Sequence, residues 1–369
     1  MAGEQRRTGL RVIVAGGGTG GHLFPGIAIA SELKARFVDT DILFVVGRKE
    51  METEIVAKAG FRAQSIDVEG VLGKSALEII RALFKILVSS VQSFFIVKTF
   101  KPELIVGVGG YSSGPLCLVG RLLGIPTAIH EQNSFPGLTN RILAPLVKRV
   151  FISFEESSKY LRGGRLILSG NPVRDELLSL KPVGKGKEEG FVVLVMGGSQ
   201  GAHAINRAVL SALKQLKERG LYPFVIHQTG RADFRRITDE YRADGFLGEV
   251  VEFIEDMARA YARADLVISR AGATTIAELA ALGKPSILVP YPYAAHNHQE
   301  VNARVLSALG GADMILEKDL DGMSLASRIR AYMENRDQLE RMSSRALKAG
   351  RPRAKEIITQ ELLELVSQN

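Results

Sequence analysis

Three glycine clusters and one histidine carry the most evident chemistry in the chain. Residues 16–22 read Gly-Gly-Gly-Thr-Gly-Gly-His, residues 107–115 read Gly-Val-Gly-Gly-Tyr-Ser-Ser-Gly-Pro, and residues 197–201 read Gly-Gly-Ser-Gln-Gly. Glycine lets backbone N–H groups come close to a phosphate at the start of a helix. Three such loops imply more than one phosphate, as a nucleotide diphosphate donor and a pyrophosphate-bearing acceptor would supply; plain tight turns are the alternative. The first loop departs from the dinucleotide spacing G-x-G-x-x-G and lacks the lysine of a P-loop, which argues against NAD and ATP. His22 closes that loop. As neutral imidazole it can take a proton from an attacking hydroxyl, or it can simply pack or cap at a helix start.

Further polar groups stand where strands give way to helices. Residues 269–278, Ser-Arg-Ala-Gly-Ala-Thr-Thr-Ile-Ala-Glu, read as a loop through Gly272 feeding a helix that carries Glu278. Backbone N–H groups at that helix start suit a diphosphate or a uracil carbonyl, and the carboxylate can accept two ribose hydroxyls. An acid offsetting the helix dipole is the plainer reading. Arg174, in the polar turn at 171–174, can clamp a phosphate oxygen or lie in solvent. His130, Glu131, Gln132 and Asn133 bring polar groups to another strand end. His296 and His298 precede Gln299 with no evident third ligand, so hydrogen bonding is expected there rather than a metal.

Loops of this kind need strands that end at them. Arg-Val-Ile-Val-Ala at 11–15 runs into the first loop, and β-rich runs recur at 42–46, 104–108, 127–130 and 150–152, with helical patterns between several of them. The pattern restarts at 191–203, where Gly197, Gly198, Gly201 and His203 match Gly16, Gly17, Gly20 and His22 without a gap. Runs at 224–227, 250–253, 266–268 and 286–289 follow. The alternation predicts parallel sheets covered by helices on both faces. Its repetition predicts two Rossmann-like α/β domains, 1–174 and 175–353, with a Pro-, Gly- and charge-rich linker at 181–190 and a final helix near 354–366. Ligands of open α/β sheets bind beyond the carboxyl ends of the strands, so both glycine turns are expected to point into a cleft between facing domains.

The 369 residues are 46% hydrophobic and 24% charged, ordinary values for globular domains. A net charge of +8 suggests acidic partners such as phosphorylated substrates or anionic lipid surfaces. There is no Trp and no basic stretch interleaved with stacking aromatics, which argues against nucleic acid. One cysteine, Cys117, rules out a disulfide within the chain and fits a reducing cytoplasm. No signal-peptide pattern is seen at the N-terminus, and the apolar stretch at 86–97 is too short and too polar to span a bilayer. Residues 76–100 are amphipathic at helical spacing, with Glu78, Arg81, Lys85, Ser89 and Gln92 in one polar stripe. Either this is a core helix, or Leu77, Ile80 and Phe84 form a membrane patch with Lys74, Arg81 and Lys85 drawn to anionic head groups.

Taken in order, Gly-Gly-Thr-Gly-Gly-His, Gly-Gly-Tyr-Ser-Ser-Gly-Pro, His-Glu-Gln-Asn, Gly-Asn-Pro-Val-Arg, Gly-Gly-Ser-Gln-Gly-Ala and Ser-Arg-Ala-Gly-Ala-Thr-Thr-Ile-Ala-Glu form a specific set. From about Arg11 to the final helix the sequence resembles the MurG family of glycosyltransferase family 28, N-acetylglucosaminyltransferases that convert lipid I to lipid II in peptidoglycan synthesis. The resemblance implies a GT-B fold, two Rossmann-like domains around a deep cleft, with the last helix (354–369) crossing back to the N-terminal domain. It implies an N-terminal domain that meets the acceptor and the membrane, and a C-terminal domain that holds UDP-N-acetylglucosamine. Carried over motif by motif, the donor contacts are Thr19, Gly20, Gly21, Asn133, Arg174, Ser199, Ile254, Ala273, Thr274, Thr275, Ile276, Ala277, Glu278 and Gln299. The acceptor pyrophosphate falls to Gly109, Gly110, Tyr111, Ser112 and Ser113. The implied reaction is inverting transfer to the C4 hydroxyl of a lipid-pyrophosphoryl muramyl-pentapeptide, with His22 as base. Helix N-termini and hydrogen bonds stabilise the leaving diphosphate, with no cofactor and no metal. The expected location is peripheral, on the cytoplasmic face of the bacterial plasma membrane, where a cell-wall synthesis complex is a further partner. A UDP-N-acetylglucosamine 2-epimerase of the same fold and a non-catalytic nucleotide-sugar sensor are the rival readings.

Overall fold

A computed structural model describes residues 9–18, 20–37, 39–68, 76–180, 190–198 and 200–368, with backbone alone at 20 and 76–83. It divides into two compact units, Met1–Val173 with Pro352–Asn369, and Arg174–Arg351.

The first unit runs β1 (Arg11–Ala15), α1 (Gly20–Arg36), β2 (Asp41–Val46), α2 (Glu50–Lys58), β3 (Arg62–Ser65), α3 (Ala76–Phe100), β4 (Leu104–Gly107), α4 (Ser113–Leu122), β5 (Thr127–Glu131), α5 (Leu138–Leu143), β6 (Arg149–Ile152) and β7 (Arg165–Leu168). Its seven strands are parallel in the order β3-β2-β1-β4-β5-β6-β7. Side chains alternate across a strand, and both faces here are covered. Val12, Val14, Phe44 and Val106 pack with Leu23, Ile29 and Leu33 of α1. Their neighbours Ile13, Ala15, Val45 and Ile105 pack with Ile96 and Val97 of α3 and with Leu116 and Cys117 of α4. That two-sided burial is why the central strands read as continuous Val/Ile/Leu runs.

The C-terminal helix, Ala354–Ser367, belongs to this first unit. Ile358, Leu362 and Leu365 enter the same core as α1. Lys355 reaches Glu32 at 3.2 Å, and Glu361 meets Arg149 at 3.2 Å and Arg165 at 3.1 Å.

The second unit contains α6 (Asp175–Leu178), β8 (Val192–Met196), α7 (His203–Glu218), β9 (Phe224–Gln228), α8 (Phe234–Asp244), β10 (Gly248–Val251), α9 (Met257–Arg263), β11 (Leu266–Ser269), α10 (Ala273–Leu282), β12 (Ser286–Leu288), α11 (His298–Ala308), β13 (Asp313–Met314), α12 (Gly322–Glu334) and α13 (Arg336–Ala349). Its six parallel strands stand in the order β10-β9-β8-β11-β12-β13. Val193, Val195, Leu266 and Ile268 pack on Ile205, Val209 and Leu213 of α7. Both units are therefore α/β sheets of Rossmann-like type.

The hydrophobic runs of the sequence do not predict β3, β7 or β13, and they place β10 two residues too late. All four are edge strands. An edge strand has fewer apolar neighbours; Arg62, Gln64 and Ser65 of β3 and Arg165 and Leu166 of β7 stay exposed or nearly so, and the apolar run that would announce a strand is absent.

Each sheet has one place where successive connections depart in opposite directions. In the first it lies between β1 and β4, in the second between β8 and β11. Loops beyond the carboxyl ends of strands at such a switch point are where open α/β sheets bind ligands.

Candidate functional site

In the first unit, Ala15 of β1 is level with Val45 of β2 and Gly107 of β4, so three loops leave the sheet at one height. Gly17 N–H donates to Gly109 O at 3.3 Å, joining the first two glycine loops across the switch point. Gly109 has φ +91°, and a Cβ there would stand 2.7 Å from His22 Nδ1. Only glycine serves at that position, because the backbone is left-handed and lies against the imidazole. Glu52 of α2, which is 2% exposed, holds the first loop from behind. Its carboxylate accepts from Gly18 N–H at 2.7 Å and from Gly47 N–H at 2.9 Å. Nothing in the sequence singles out Glu52, since an acid in a helical pattern gives no sign of an inward turn.

His22 sits half-buried in the first turn of α1 and hydrogen-bonds Gln132 Oε1 through Nδ1 at 3.0 Å. Gln132 follows β5 and is almost fully buried. Glu131, beside it, is saturated. Its two oxygens accept from Asn133 N–H at 2.9 Å, Gly137 N–H at 3.0 Å and Asn140 Nδ2 at 2.8 Å. That carboxylate shapes the 132–137 loop, which carries Asn133, and is not placed to act as a base. His130 is wholly buried, and burial pulls its imidazole down to about 4, against the raising effect of its bond to Gly170 O.

The loop at 109–113 leads into α4. Tyr111 is half-exposed, while Ser112 and Ser113 are buried. Ser113 Oγ donates to Gly110 O at 2.8 Å. Ser112 Oγ is buried with no hydrogen-bond partner among the described residues. A buried hydroxyl without a partner costs about 1–3 kcal/mol. Gly20 and Gly21 open α1. Thr19 and Ser199, both expected as donor contacts, lie outside the described residues.

In the second unit, the Gly197–Gly198 turn after β8 is pinned by Gln228 Nε2 donating to Gly198 O at 2.7 Å. Across the switch point, Gly272 precedes α10 with extended backbone and no side chain to cap it. Ala273 and Ile276 are buried, whereas Thr274, Thr275 and Ala277 are half-buried. The structure brings Arg174 and Glu278 together: Arg174 Nη2 donates to Glu278 Oε1 at 3.3 Å, and Tyr261 Oη donates to Glu278 Oε2 at 3.0 Å. Burial raises the Glu278 carboxyl above the usual range, partly offset by Arg174 and Tyr261. Burial likewise raises the Tyr261 phenol, aided by the Glu278 charge. Nothing in the sequence singles out Tyr261, which lies inside an Ala/Arg-rich helix with no motif around it. Ile254, after β10, is 8% exposed.

Gln299 Oε1 accepts from Tyr291 N–H at 3.0 Å, and His298 Nδ1 donates to Ala295 O at 2.8 Å, so the hydrogen-bonding role expected there is seen. His296 and Asn297 both lie in the left-handed region, at φ 53° and 54°. Non-glycine residues in that conformation gather at functional sites.

The membrane-patch residues separate. Lys74 lies outside the described residues, as do the side chains of Leu77, Ile80 and Arg81. Phe84 is 66% exposed. Lys85 corrects the sequence reading. It points inward, its side chain 18% exposed, and pairs with Asp67 at 3.3 Å. Gln92 accepts from Asp67 N–H at 2.9 Å and Ser89 is buried, so Lys85, Ser89 and Gln92 of the polar stripe face the protein. Leu87, Val91, Phe94 and Phe95 face out. From Phe84 on, the amphipathicity of this helix is reversed with respect to water.

Among the described residues, no helix is long and apolar enough to cross a membrane.

Residues 12–152 match the glycosyltransferase family 28 N-terminal domain, and 192–358 match the C-terminal domain of the same family. The chain is 47% identical over 341 residues to a protein of Syntrophus aciditrophicus, covering 92% of this chain and 94% of that one. It is 45% identical over 357 residues to one of Anaeromyxobacter sp., covering 97% and 94%. Both relatives are named UDP-N-acetylglucosamine–N-acetylmuramyl-(pentapeptide) pyrophosphoryl-undecaprenol N-acetylglucosamine transferase. Among solved structures, Acinetobacter baumannii MurG superposes with a TM-score of 0.79 at 31% identity, covering 96% of this chain and 99% of that one. A UDP-N-acetylglucosamine 2-epimerase superposes at 0.68 with 14% identity over 98% of each chain, a likeness of fold alone.

Proposed function

The chain belongs to glycosyltransferase family 28, and from that premise we propose that it transfers N-acetylglucosamine from UDP-N-acetylglucosamine to the C4 hydroxyl of a lipid-pyrophosphoryl muramyl-pentapeptide, with inversion. The observation that carries this reading is that each switch point has a glycine turn and a helix start of the kind that suits a phosphate, within a chain whose transferase relatives match it along nearly its whole length. The second unit takes the donor. Backbone N–H groups at the start of α10 and in the 197–201 turn receive the diphosphate, and Glu278, oriented by Tyr261 and Arg174, accepts the ribose hydroxyls. The first unit takes the acceptor pyrophosphate at 109–113, where Ser112 Oγ gains its partner. His22 removes the C4 hydroxyl proton as the new bond to the anomeric carbon forms, and the anomeric C–O bond to UDP breaks with its electron pair on the phosphate oxygen. Positioned donors stabilise that charge without reorganising.

Incubation with labelled UDP-N-acetylglucosamine and a lipid-I analogue tests the reading. A disaccharide product identified by mass is expected. Isomerisation of the donor at C2 without acceptor would instead mark an epimerase, and donor binding with neither reaction a sensor.

The outward apolar face of α3 supports membrane docking of the first unit at a bilayer surface. Leu118 and Leu122 of α4 and Ile142 of α5 are exposed as well, on helices packed in series with α3. A patch of this composition is favoured in lipid. Leu87→Glu with Phe95→Glu is expected to abolish co-sedimentation with anionic vesicles while turnover of a short-chain acceptor continues. Unchanged vesicle binding would remove α3 from the interface. Charge reversal at Lys74 and Arg81 tests separately whether basic residues add to it.

A further inference from the structure

The hydrogen bonds behind His22 permit only one arrangement of protons. Gly170 O lies 3.1 Å from His130 Nε2, and a carbonyl can only accept, so His130 carries its proton on Nε2. Ser153 Oγ, 3.3 Å from the same nitrogen, is consistent, because its own hydroxyl donates to Glu131 O at 3.1 Å. Burial keeps His130 neutral, so its Nδ1 bears a lone pair. Gln132 Nε2 stands 3.1 Å from that lone pair and 2.7 Å from Val108 O. Both neighbours demand a donor, which fixes the amide with its nitrogen toward them and its oxygen toward His22. His22 Nδ1, 3.0 Å from that oxygen, must therefore carry a hydrogen. The neutral ring then has its lone pair on Nε2, which has no hydrogen-bond partner among the described residues.

We propose that Gln132, itself held by Val108 O and His130, is a positioning residue that selects the Nδ1–H tautomer of His22 and so aims the basic Nε2 at the acceptor hydroxyl. This rests on the reading of His22 as the base. In the step itself the C4 hydroxyl proton passes to Nε2, giving an imidazolium whose Nδ1–H still donates to Gln132 Oε1. The relay spends no charge: a neutral amide orients the ring, and a buried neutral imidazole orients the amide. His130, Glu131 and Glu52 are the titratable groups around it, and none is asked to exchange a proton.

Long-range ¹H–¹⁵N spectra of the full-length protein labelled at histidine, above the pH at which His22 protonates, report the tautomer directly. Protonated Nδ1 is expected for His22 in the wild type. In Gln132→Leu the ring should relax toward Nε2–H, with kcat lowered about 10- to 10²-fold, a part of what a general base supplies, and with KM for the donor unchanged. Gln132→Glu retains an oxygen facing Nδ1 and, with its other oxygen protonated toward Val108 O, should recover activity relative to the leucine variant. An Nε2–H tautomer in the wild type overturns the proposal, whether or not either variant folds, and so does an unchanged kcat in a folded Gln132→Leu. The two readings fail separately. If His22→Ala keeps its kcat while the wild type shows Nδ1–H, the base assignment falls and the relay stands. If His22→Ala is inactive and the ring is Nε2–H, the relay falls alone.

Discussion

In each unit the first strand runs into a glycine turn and a helix whose first turn carries a histidine, yet the two rings are held by different chemistry. His22 meets the amide oxygen of Gln132, supplied from the end of β5. His203, with a side chain 69% exposed, meets both oxygens of Asp233 at 3.0 and 3.1 Å, supplied from the start of α8. An amide oxygen accepts one N–H and leaves the opposite nitrogen as a lone pair. A carboxylate forms an ion pair whenever the ring is charged. Behind Asp233, Asn206 donates to it at 2.8 Å and links to His227 Nε2 at 3.1 Å, and His227 in turn meets Tyr241 Oη at 3.1 Å. Repetition of a motif therefore does not duplicate its chemistry. The residue that faces the ring from a distant element decides it.

The largest expected effect tests that contrast directly. His22→Ala should lower kcat about 10²- to 10⁴-fold, the range of a general base, with donor affinity much less changed, whereas His203→Ala should lower kcat far less. Steady-state kinetics on both variants, with circular dichroism to show they fold, would break the contrast if the two losses were equal. Next comes the donor side. Glu278→Ala should weaken UDP binding by about 1.5–3 kcal/mol, the worth of a hydrogen bond to a charged group, as read by calorimetry; unchanged affinity would leave Glu278 as a partner of Tyr261 and Arg174 only.

The smallest effect sharpens the comparison within the second unit, where two buried carboxylates are shifted in opposite directions. Burial pushes the Asp233 carboxyl up, but hydrogen bonds from Asn206, Arg236 and His203 outweigh it and hold it below the ordinary range. The folded state thus binds the proton less tightly than the unfolded chain. Its contribution to stability is complete above the usual carboxylate pKa of about 4 and is lost as pH falls through the lower folded value. Glu278 is raised, so its contribution has the opposite sign and is lost as pH rises through the carboxylate range. In urea titrations, the advantage of wild type over Asp233→Asn should shrink on acidification. The advantage over Glu278→Gln should grow. His130, which burial draws down to about 4, weakens wild type and variants alike in acid and cancels from both differences; His227, drawn down to about 3 by burial against the raising charge of Asp233, cancels only in the Glu278 pair. Parallel pH trends in the two pairs would contradict the opposed shifts.

What the sequence disclosed follows the same division between local and distant partners. The central strands, the glycine turns and the C-terminal helix are written in contiguous residues, and periodicity finds them. The edge strands β3, β7 and β13 are not, because one side of each faces no neighbouring strand. In the candidate site, the motifs single out His22, Arg174 and Glu278, but Gln132 reads as one polar residue among four at a strand end. The role proposed for it arises from Val108 and His130 converging on it after folding. The inward turn of Lys85 escaped for a like reason. Spacing shows that α3 has two faces, and only Asp67, from the segment after β3, shows which one is inside.

The C-terminal helix lends its apolar face to the core of a unit whose other residues end at Val173. On a ribosome, synthesis runs from the N-terminus, so the unit begun first is completed last. The surface of α1 that receives Ile358, Leu362 and Leu365 stays uncovered throughout translation of the entire second unit. Chaperones that bind nascent apolar surface have that whole interval in which to act, and a chain cut short between Arg351 and the helix at Ala354 has a finished second unit tethered to an unfinished first.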